Sequence, residues 1–557
     1  MISFLKNNLI ILIIIFILGL YLGVKAFDEN GWDGWGLGSA QTLMSSEYWA
    51  RDGFAKNYFL FIPYPYSKLI PYFDKPEFRN RPIETISGVL TLTRDRRLYY
   101  THYPPLYLVP YAIIAKIGIE NRAIFRIFSL LISLTGLLFF YLFIKSISSR
   151  AIAAIASIYY GFSVSFLNYA DSISVQPWDI LFIFLILYLS VLAWRNFENP
   201  KKYQKYNLLI WLAYFTLSLL SYDATFYIFA FLILFDIFIL KKFLWKKWLF
   251  LALAPMLGFA LQIIQNTWYL GWNDMINDFS GVYANRTFIG AKNFIAGLIG
   301  PFVLMTSLQT IFIFKKTIVA LASATAIFVL LWKFRQKIVI NSDYFKIVFV
   351  LAVAAIIQPL FINATGGWPF QGVLTASFFG LLIGAASIFI INAFKQKELR
   401  VYKTAFFGIL AAIILILWSV QFYSTLNYVR DWPNNRPDQK VIEFSKEIKK
   451  LYPNEEKMAF RIIPKNQIWI SHFATFNMEY YFGIPKVDFA NINDLLTDFW
   501  WFRNVSEYPF YSLVIAESRA DAEKIRRELI AKNINNISPV IEIQSQYLFT
   551  VGPKQTQ

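Results

Sequence analysis

The chain reads as an α-helical polytopic membrane protein carrying a small soluble α/β domain at its C-terminal end. Three observations predict this. Of the 557 residues, 57% are hydrophobic and 16% charged. The apolar residues arrive in repeated runs near the ~20 residues that span a bilayer, and the basic residues fall largely between those runs. From about Asp431 onward the long runs stop and a soluble pattern begins. A net charge of +18 would suggest nucleic acid in a soluble chain, but here the charge is mostly topology, and no nucleic-acid partner is expected. The chain has no cysteine and two histidines, His102 and His472, which excludes disulfides, cysteine metal sites, thiol nucleophiles and a histidine-rich metal cage.

The first crossing is the uncharged run from Ile10 to Val24. Lys6 before it favours a cytoplasmic start, and no small-residue cleavage site follows, so the run is a retained helix. The chain then emerges outside as Phe27-Asp28-Glu29-Asn30-Gly31-Trp32-Asp33-Gly34-Trp35. Two readings stand for this stretch. Its carboxylates hold a polar substrate at the water–lipid boundary, or they sit in water while Trp32 and Trp35 anchor the interface. An outer loop over 28–123 follows, its first part broken by Pro65, Pro71, Pro76 and Pro82. Within it, 104–118 is apolar but too short to span comfortably, and predicts a helix along the outer surface.

Further crossings are predicted at 124–144, 151–168, 177–194, 208–221, 225–240 and 247–267. The loops that then fall inside carry Lys145 and Arg150, Arg195, Lys201, Lys202 and Lys205, and Lys241, Lys242, Lys246 and Lys247; the alternate loops carry Asp171 and Asp223. This is the positive-inside pattern. An outer loop at 269–290 holds Asp274, Asp278 and Arg286. If 292–314 lies re-entrant or along the outer face, 317–332, 345–362, 370–392 and 403–423 cross in alternation. That arrangement totals about eleven crossings and places the N-terminus in the cytoplasm and the C-terminus outside; the expected location is the plasma (inner) membrane. Residues 1–429 form the membrane domain and 430–557 the extracytoplasmic α/β domain. In the latter, Pro437-Asp438 caps a helix bearing Val441, Ile442, Ile448 and Leu451, and Met458, Phe460 and Ile462 alternate as a strand. Leu513-Val514-Ile515 forms a buried strand, Asp521 to Lys532 an amphipathic helix, and Val540-Ile541 and Tyr547 to Val551 two closing strands.

Chemistry-bearing residues gather at the outer ends of these crossings. In Thr101-His102-Tyr103-Pro104-Pro105-Leu106-Tyr107 the double proline fixes the backbone and holds His102 just before a helix. His102 either ligates a metal, hydrogen-bonds a phosphate, or satisfies a turn. Asn168-Tyr169-Ala170-Asp171-Ser172 and Gln176-Pro177-Trp178-Asp179 return to the same face. Asp171, Asp179 and Asp223 each serve a substrate path or sit favourably at a helix N-terminus. Arg94, Arg96, Arg97 and Arg286 are phosphate partners or a solvated basic patch.

Asp28-Glu29 at the loop exit, His102-Tyr103-Pro104-Pro105-Leu106-Tyr107 at the loop end, and Arg122-Ala123-Ile124-Phe125-Arg126 opening the next helix together carry a resemblance. Over roughly residues 8–195 the chain resembles the C-type (GT-C) membrane glycosyltransferases, within them most the branch of bacterial aminoarabinose transferases and protein O-mannosyltransferase-like enzymes. The resemblance implies sugar transfer from a polyprenyl-phosphate-linked donor to a glycan, lipid or protein acceptor on the outer face, beside membrane lipid. It implies Asp28 as catalytic base with Glu29 beside it, and places His102 where related enzymes contact metal or donor. The second carboxylate usually sits in an acid-proline pair before the fourth membrane helix. Here that pair is Gln176-Pro177, so Asp171 and Asp179 compete, and Asp171 is preferred as the second catalytic residue.

The chemistry agrees. A sugar hydroxyl needs a carboxylate to take its proton as the new bond forms, and the departing phosphate needs positive charge. Direct attack inverts the anomeric centre and requires one base. Glu29, Asp33, Tyr103, Arg94, Arg97, Asp179 and Arg286 are the further substrate-binding candidates. Glu29 and His102 are the ligand candidates for a divalent metal ion, with hydrogen bonding as their other reading; no organic cofactor is expected. The rival function is a transporter or flippase of lipid-linked glycans, which should place ionisable residues near the bilayer midplane. Asp236 is the one acid well inside an apolar run, and it lies toward the inner end.

Overall fold

The structure is a computed structural model that describes residues 2–27, 36–62, 83–85, 88–92, 98–99, 101, 103–119, 121–286, 342–361, 372–395, 404–431, 439–451, 457–462, 486–489, 492, 511–534 and 536–552. Its membrane part is helical. In chain order the helices are α1 (Ile2–Ala26), α2 (Gly36–Asp52), α3 (Leu108–Lys116), α4 (Arg122–Ile147), α5 (Arg150–Gly161), α6 (Val164–Tyr169), α7 (Gln176–Arg195), α8 (Pro200–Ser218), α9 (Tyr222–Phe235), α10 (Trp245–Leu270), α11 (Trp272–Arg286), α12 (Ser342–Phe361), α13 (Gly372–Lys395) and α14 (Thr404–Asp431). Among the described residues six spans are long and apolar enough to cross a membrane: Asn8–Ala26, Arg122–Ile147, Gln176–Arg195, Tyr222–Leu240, Trp245–Leu270 and Ala411–Arg430. The chain is a multi-pass membrane protein.

Short polar side chains start these helices by accepting orphan N–H groups. Asn121 accepts from Ala123 N at 2.8 Å to open α4, Ser149 accepts from Ile152 N to open α5, and Ser221 accepts from Ala224 N to open α9. The run at 151–168 is two helices rather than one. Ser163 accepts from Phe166 N at 3.2 Å and starts α6 afresh, leaving α5 at 12 residues. The bundle core is aliphatic and aromatic, with Leu18, Leu137, Phe143, Ile144, Phe166, Ile186 and Tyr214 buried together. Close approach needs glycine at a few places. A Cβ on Gly136 of α4 would lie 2.9 Å from the backbone of Ile180 in α7, and Gly380 and Gly384 of α13 each bring α5 carbonyls within 2.9 Å of the same position. A glycine pair one turn apart is a common contact between membrane helices.

Asp236 opens a π-helical turn, Asp236–Leu240, at the end of α9. It accepts from Lys247 Nζ at 2.7 Å and Trp248 Nε1 at 2.9 Å, clamping α9 to the start of α10. The buried charge is paired where the chain reverses.

Above the bundle, α2 and α3 pack over α4 and α7 through Leu43, Trp49, Leu60, Tyr107, Leu108 and Tyr111. The 104–118 segment accordingly holds one short helix. The loop before it carries three short antiparallel strands, β1 (Ile83–Thr85), β2 (Gly88–Leu92) and β3 (Leu98–Tyr99), which the sequence pattern does not announce.

The C-terminal residues form a five-stranded mixed sheet in the order β5-β4-β6-β8-β7, from β4 (Lys457–Ile462), β5 (Lys486–Phe489), β6 (Tyr511–Ala516), β7 (Ile541–Ile543) and β8 (Gln546–Val551). β4 runs parallel to β5 and β6, while β8 is antiparallel to β6 and β7. Helix α15 (Gln439–Leu451) covers one face by packing Phe444 and Ile448 on Leu513, Ile515 and Leu548. Leu451, expected on the apolar stripe, is 52% exposed, and Phe444 takes its place inside. Helix α16 (Arg519–Ala531) packs on β6 and β8 and buries Ala522, Ile525 and Leu529.

Candidate functional site

Three chain segments meet at the end of the bundle where α1 leads into the loop bearing Asp28. Lys25 lies in the last turn of α1, Arg126 in the second turn of α4, and Asp171 in the turn after α6. Lys25 Nζ donates to Asp171 Oδ1 at 2.8 Å, and Arg126 donates to Asp171 Oδ2 through Nε at 3.0 Å and through its second nitrogen. All three side chains are buried. Lys25 also donates to the Leu167 carbonyl at 2.8 Å and lies 5.7 Å from the ring centre of Tyr428, whose hydroxyl donates to the same carbonyl. Burial alone would raise the Asp171 carboxyl, but Arg126 and Lys25 outweigh it and hold it below the usual carboxylate value.

The neighbouring turn is equally bound. Ser39 of α2 accepts from Ile173 N at 3.0 Å and faces Ser172, which contacts Ser174; Ser174 in turn donates to Gln176. The start of α2, the turn after α6 and the start of α7 are thus one hydrogen-bonded unit. The triad fixes the last turn of α1 through Lys25, three residues before Asp28 in the sequence.

The Thr101–Tyr107 motif is anchored from below. The Thr101 carbonyl accepts from Gln262 Nε2 at 3.0 Å and Asn266 Nδ2 at 2.9 Å, two buried amides one turn apart on α10. Its hydroxyl donates to Asp278 of α11, and Leu106 N donates to the Leu219 carbonyl between α8 and α9 at 3.1 Å. The backbone on either side of His102 is therefore held to the helices.

Tyr103 turns inward toward the ends of α7 and α9. Its phenol is pushed well above the usual tyrosine value by burial, then by the Asp179 and Asp223 carboxylates, with the Ser221 hydroxyl as a hydrogen-bond partner. Asp179 shares that Ser221 hydroxyl and faces Asp223. Asp179 Oδ1 is sealed from solvent and has no hydrogen-bond partner among the described residues.

Of the residues singled out from sequence, Asp171, Asp179, Tyr103 and Asp223 are thus placed, in two adjoining clusters. Asp28, Glu29, Asp33, Arg94, Arg96, Arg97 and His102 lie outside the described residues, as does the side chain of Arg286. Among the described residues no three His, Asp or Glu side chains converge as a metal site. Sequence reasoning missed Lys25, Gln262 and Asn266. The two amides leave a readable signal, polar side chains at i and i+4 within the apolar run 247–267. Lys25 leaves little, because its partner is 146 residues away.

Neither a protein-family profile nor any curated protein sequence matches the chain. Solved structures are similar. The crystal structure of ArnT from Cupriavidus metallidurans bound to undecaprenyl phosphate aligns with 97% of each chain, with a TM-score of 0.56 and 10% identity. The apo oligosaccharyltransferase of Archaeoglobus fulgidus aligns with 93% of this chain and 68% of its own, with a TM-score of 0.46 and 12% identity. The same archaeal enzyme in complex with Zn and sulfate aligns with 90% and 67%, at 0.46 and 13%. Likeness to ArnT over nearly the full length of both chains gives this protein the fold of the C-type (GT-C) membrane glycosyltransferases.

Proposed function

We propose that this protein is a glycosyltransferase that moves a sugar from a polyprenyl-phosphate-linked donor to a lipid, glycan or protein acceptor at the outer face of the plasma (inner) membrane. The observation that carries this reading is the full-length likeness in fold to a transferase crystallised with undecaprenyl phosphate. The anchored loop ends support it, since buried polar groups of the bundle fix both the approach to Asp28 and the backbone on either side of His102.

In the proposed reaction Asp28 takes the proton of the acceptor hydroxyl as its oxygen attacks the anomeric carbon. The bond from that carbon to the phosphate oxygen breaks, and the electron pair leaves with the polyprenyl phosphate. The anomeric centre inverts in this single displacement. Arg94, Arg97 and Arg286 are assigned to the phosphate, and Glu29, Asp33, Tyr103 and Asp179 to the substrate's polar groups. A divalent cation at Glu29 and His102 would add positive charge beside the phosphate. Asp171 is assigned to positioning rather than to proton transfer, because both of its oxygens accept from cations. The organisation that accompanies this reading has about eleven crossings in residues 1–429, a cytoplasmic N-terminus, and residues 430–557 as an extracytoplasmic α/β domain.

The test is transfer of radiolabel from polyprenyl-phosphate sugars to an envelope extract by purified wild type and Asp28→Asn. Transfer by wild type that falls at least 100-fold in the variant supports enzyme and base together. Wild-type activity retained by Asp28→Asn would remove Asp28 from the role.

A further inference from the structure

The two clusters at this end of the bundle differ in what they leave open. Asp171 is saturated by Lys25 and Arg126. Asp179 sits in the first turn of α7, where a carboxylate ordinarily turns back to the helix N–H groups. Its Oδ1 accepts from none of them, although the atom is closed to solvent. Among the described residues the polar groups that act on Asp179 are Asp223 and Ser221, and neither is basic. Ser221 already accepts from Ala224 N, so its own proton is free for a carboxylate.

Packing brings the remaining members together independently of charge. Tyr103 and Trp178 belong to one apolar cluster with Leu220, and the Leu106–Leu219 backbone bond locks the motif against the turn that carries Ser221. Tyr103, Trp178, Asp179, Tyr222 and Asp223 are all half-buried. Buried polar atoms are rarely left unpaired, and an acceptor with no partner among the described residues is available to a donor on a ligand.

Two neighbouring carboxyl groups offer no positive charge to a phosphate and nothing to a lipid tail. They accept from hydroxyl groups, and Ser221 and Tyr103 beside them bond the same groups. We propose that Asp179, supported by Asp223, Ser221 and Tyr103, is the subsite that binds hydroxyl groups of the transferred sugar, an inference that rests on the glycosyltransferase reading above. The donor's phosphate then lies elsewhere, and sugar identity is read at the start of α7. A site built to bond a substrate hydroxyl strongly rejects the analogue without it, because its own polar groups are then left unpaired.

The test measures binding of bare undecaprenyl phosphate and of undecaprenyl-phosphate-linked hexoses and pentoses to the full-length protein in nanodiscs. Wild type should bind one sugar-loaded lipid at least ~10-fold more tightly than the bare lipid. Asp179→Asn should lower that ratio and Asp179→Ala should bring it near one, with affinity for the bare lipid within about twofold and thermal stability unchanged or higher, since an ionisable group beside Asp223 is removed. Tyr103→Phe should lower the ratio less. A ratio that survives in both Asp179→Asn and Asp179→Ala, or a wild type with no preference for any sugar-loaded lipid, overturns the subsite. Asp179-dependent binding of a sugar-loaded lipid that is never cleaved would instead defeat the transferase reading and leave the subsite standing.

Discussion

At the scale of single residues, the structure separates carboxylates by what surrounds them. Asp171 stood out in the sequence as an acid beside a membrane helix, a pattern shared by a reacting group and a structural one. The difference lies in Lys25 and Arg126, which reach it from 146 and 45 residues away. No local pattern encodes such a pairing; helix packing creates it. Asp171→Asn leaves two buried cations underpaired, and should cost about 3–5 kcal/mol in stability together with activity. Asp28→Asn should reduce activity with the melting temperature unchanged, and calorimetry alongside the transfer assay checks both. Arg126→Lys should also destabilise, since an ammonium cannot reproduce the paired guanidinium contacts. The folded Asp171 carboxyl titrates below its unfolded value, so its contribution is fully present above pH of about 4 and is lost only as pH falls through the lowered folded value. The pH profile of transfer near neutrality should therefore track other groups.

At the scale of elements, long apolar runs translated directly into helices, as at α4, α7 and α10. The failures have physical causes. α2 is Gly36–Asp52, a helix with few strongly apolar residues, whose Ala40, Leu43 and Trp49 are buried by contacts with distant segments. The strands β1 to β3 are three, five and two residues long, too short for alternation to show. The run at 151–168 breaks at Ser163 because a serine hydroxyl can restart a helix inside an apolar stretch. Gln262 and Asn266 give an element-level prediction. Replacing both with leucine preserves the apolar face of α10 but frees the Thr101 carbonyl, so transfer should fall at least ~10-fold while α10 remains helical by circular dichroism. Gly136→Val should destabilise by about 1–3 kcal/mol, since its Cβ would stand 2.9 Å from the Ile180 backbone in α7. A detergent-solubilised melting curve reads the loss.

At the scale of the whole molecule, alternating basic and acidic loops underlie the proposed orientation and the likeness to ArnT supplies the fold. The absence of cysteine makes the topology directly measurable. Lys201→Cys should be protected from an impermeant maleimide in intact cells, and Lys532→Cys should be labelled; the reverse pattern would invert the proposed orientation. The central claim is bond cleavage at the donor, as opposed to movement of the intact lipid. Mass spectrometry of proteoliposomes holding a polyprenyl-phosphate sugar and acceptor tests it most directly. The account predicts bare polyprenyl phosphate and a new glycoside of inverted anomeric configuration, both absent with Asp28→Asn. Intact donor carried across the bilayer, with no cleavage by wild type, would contradict it.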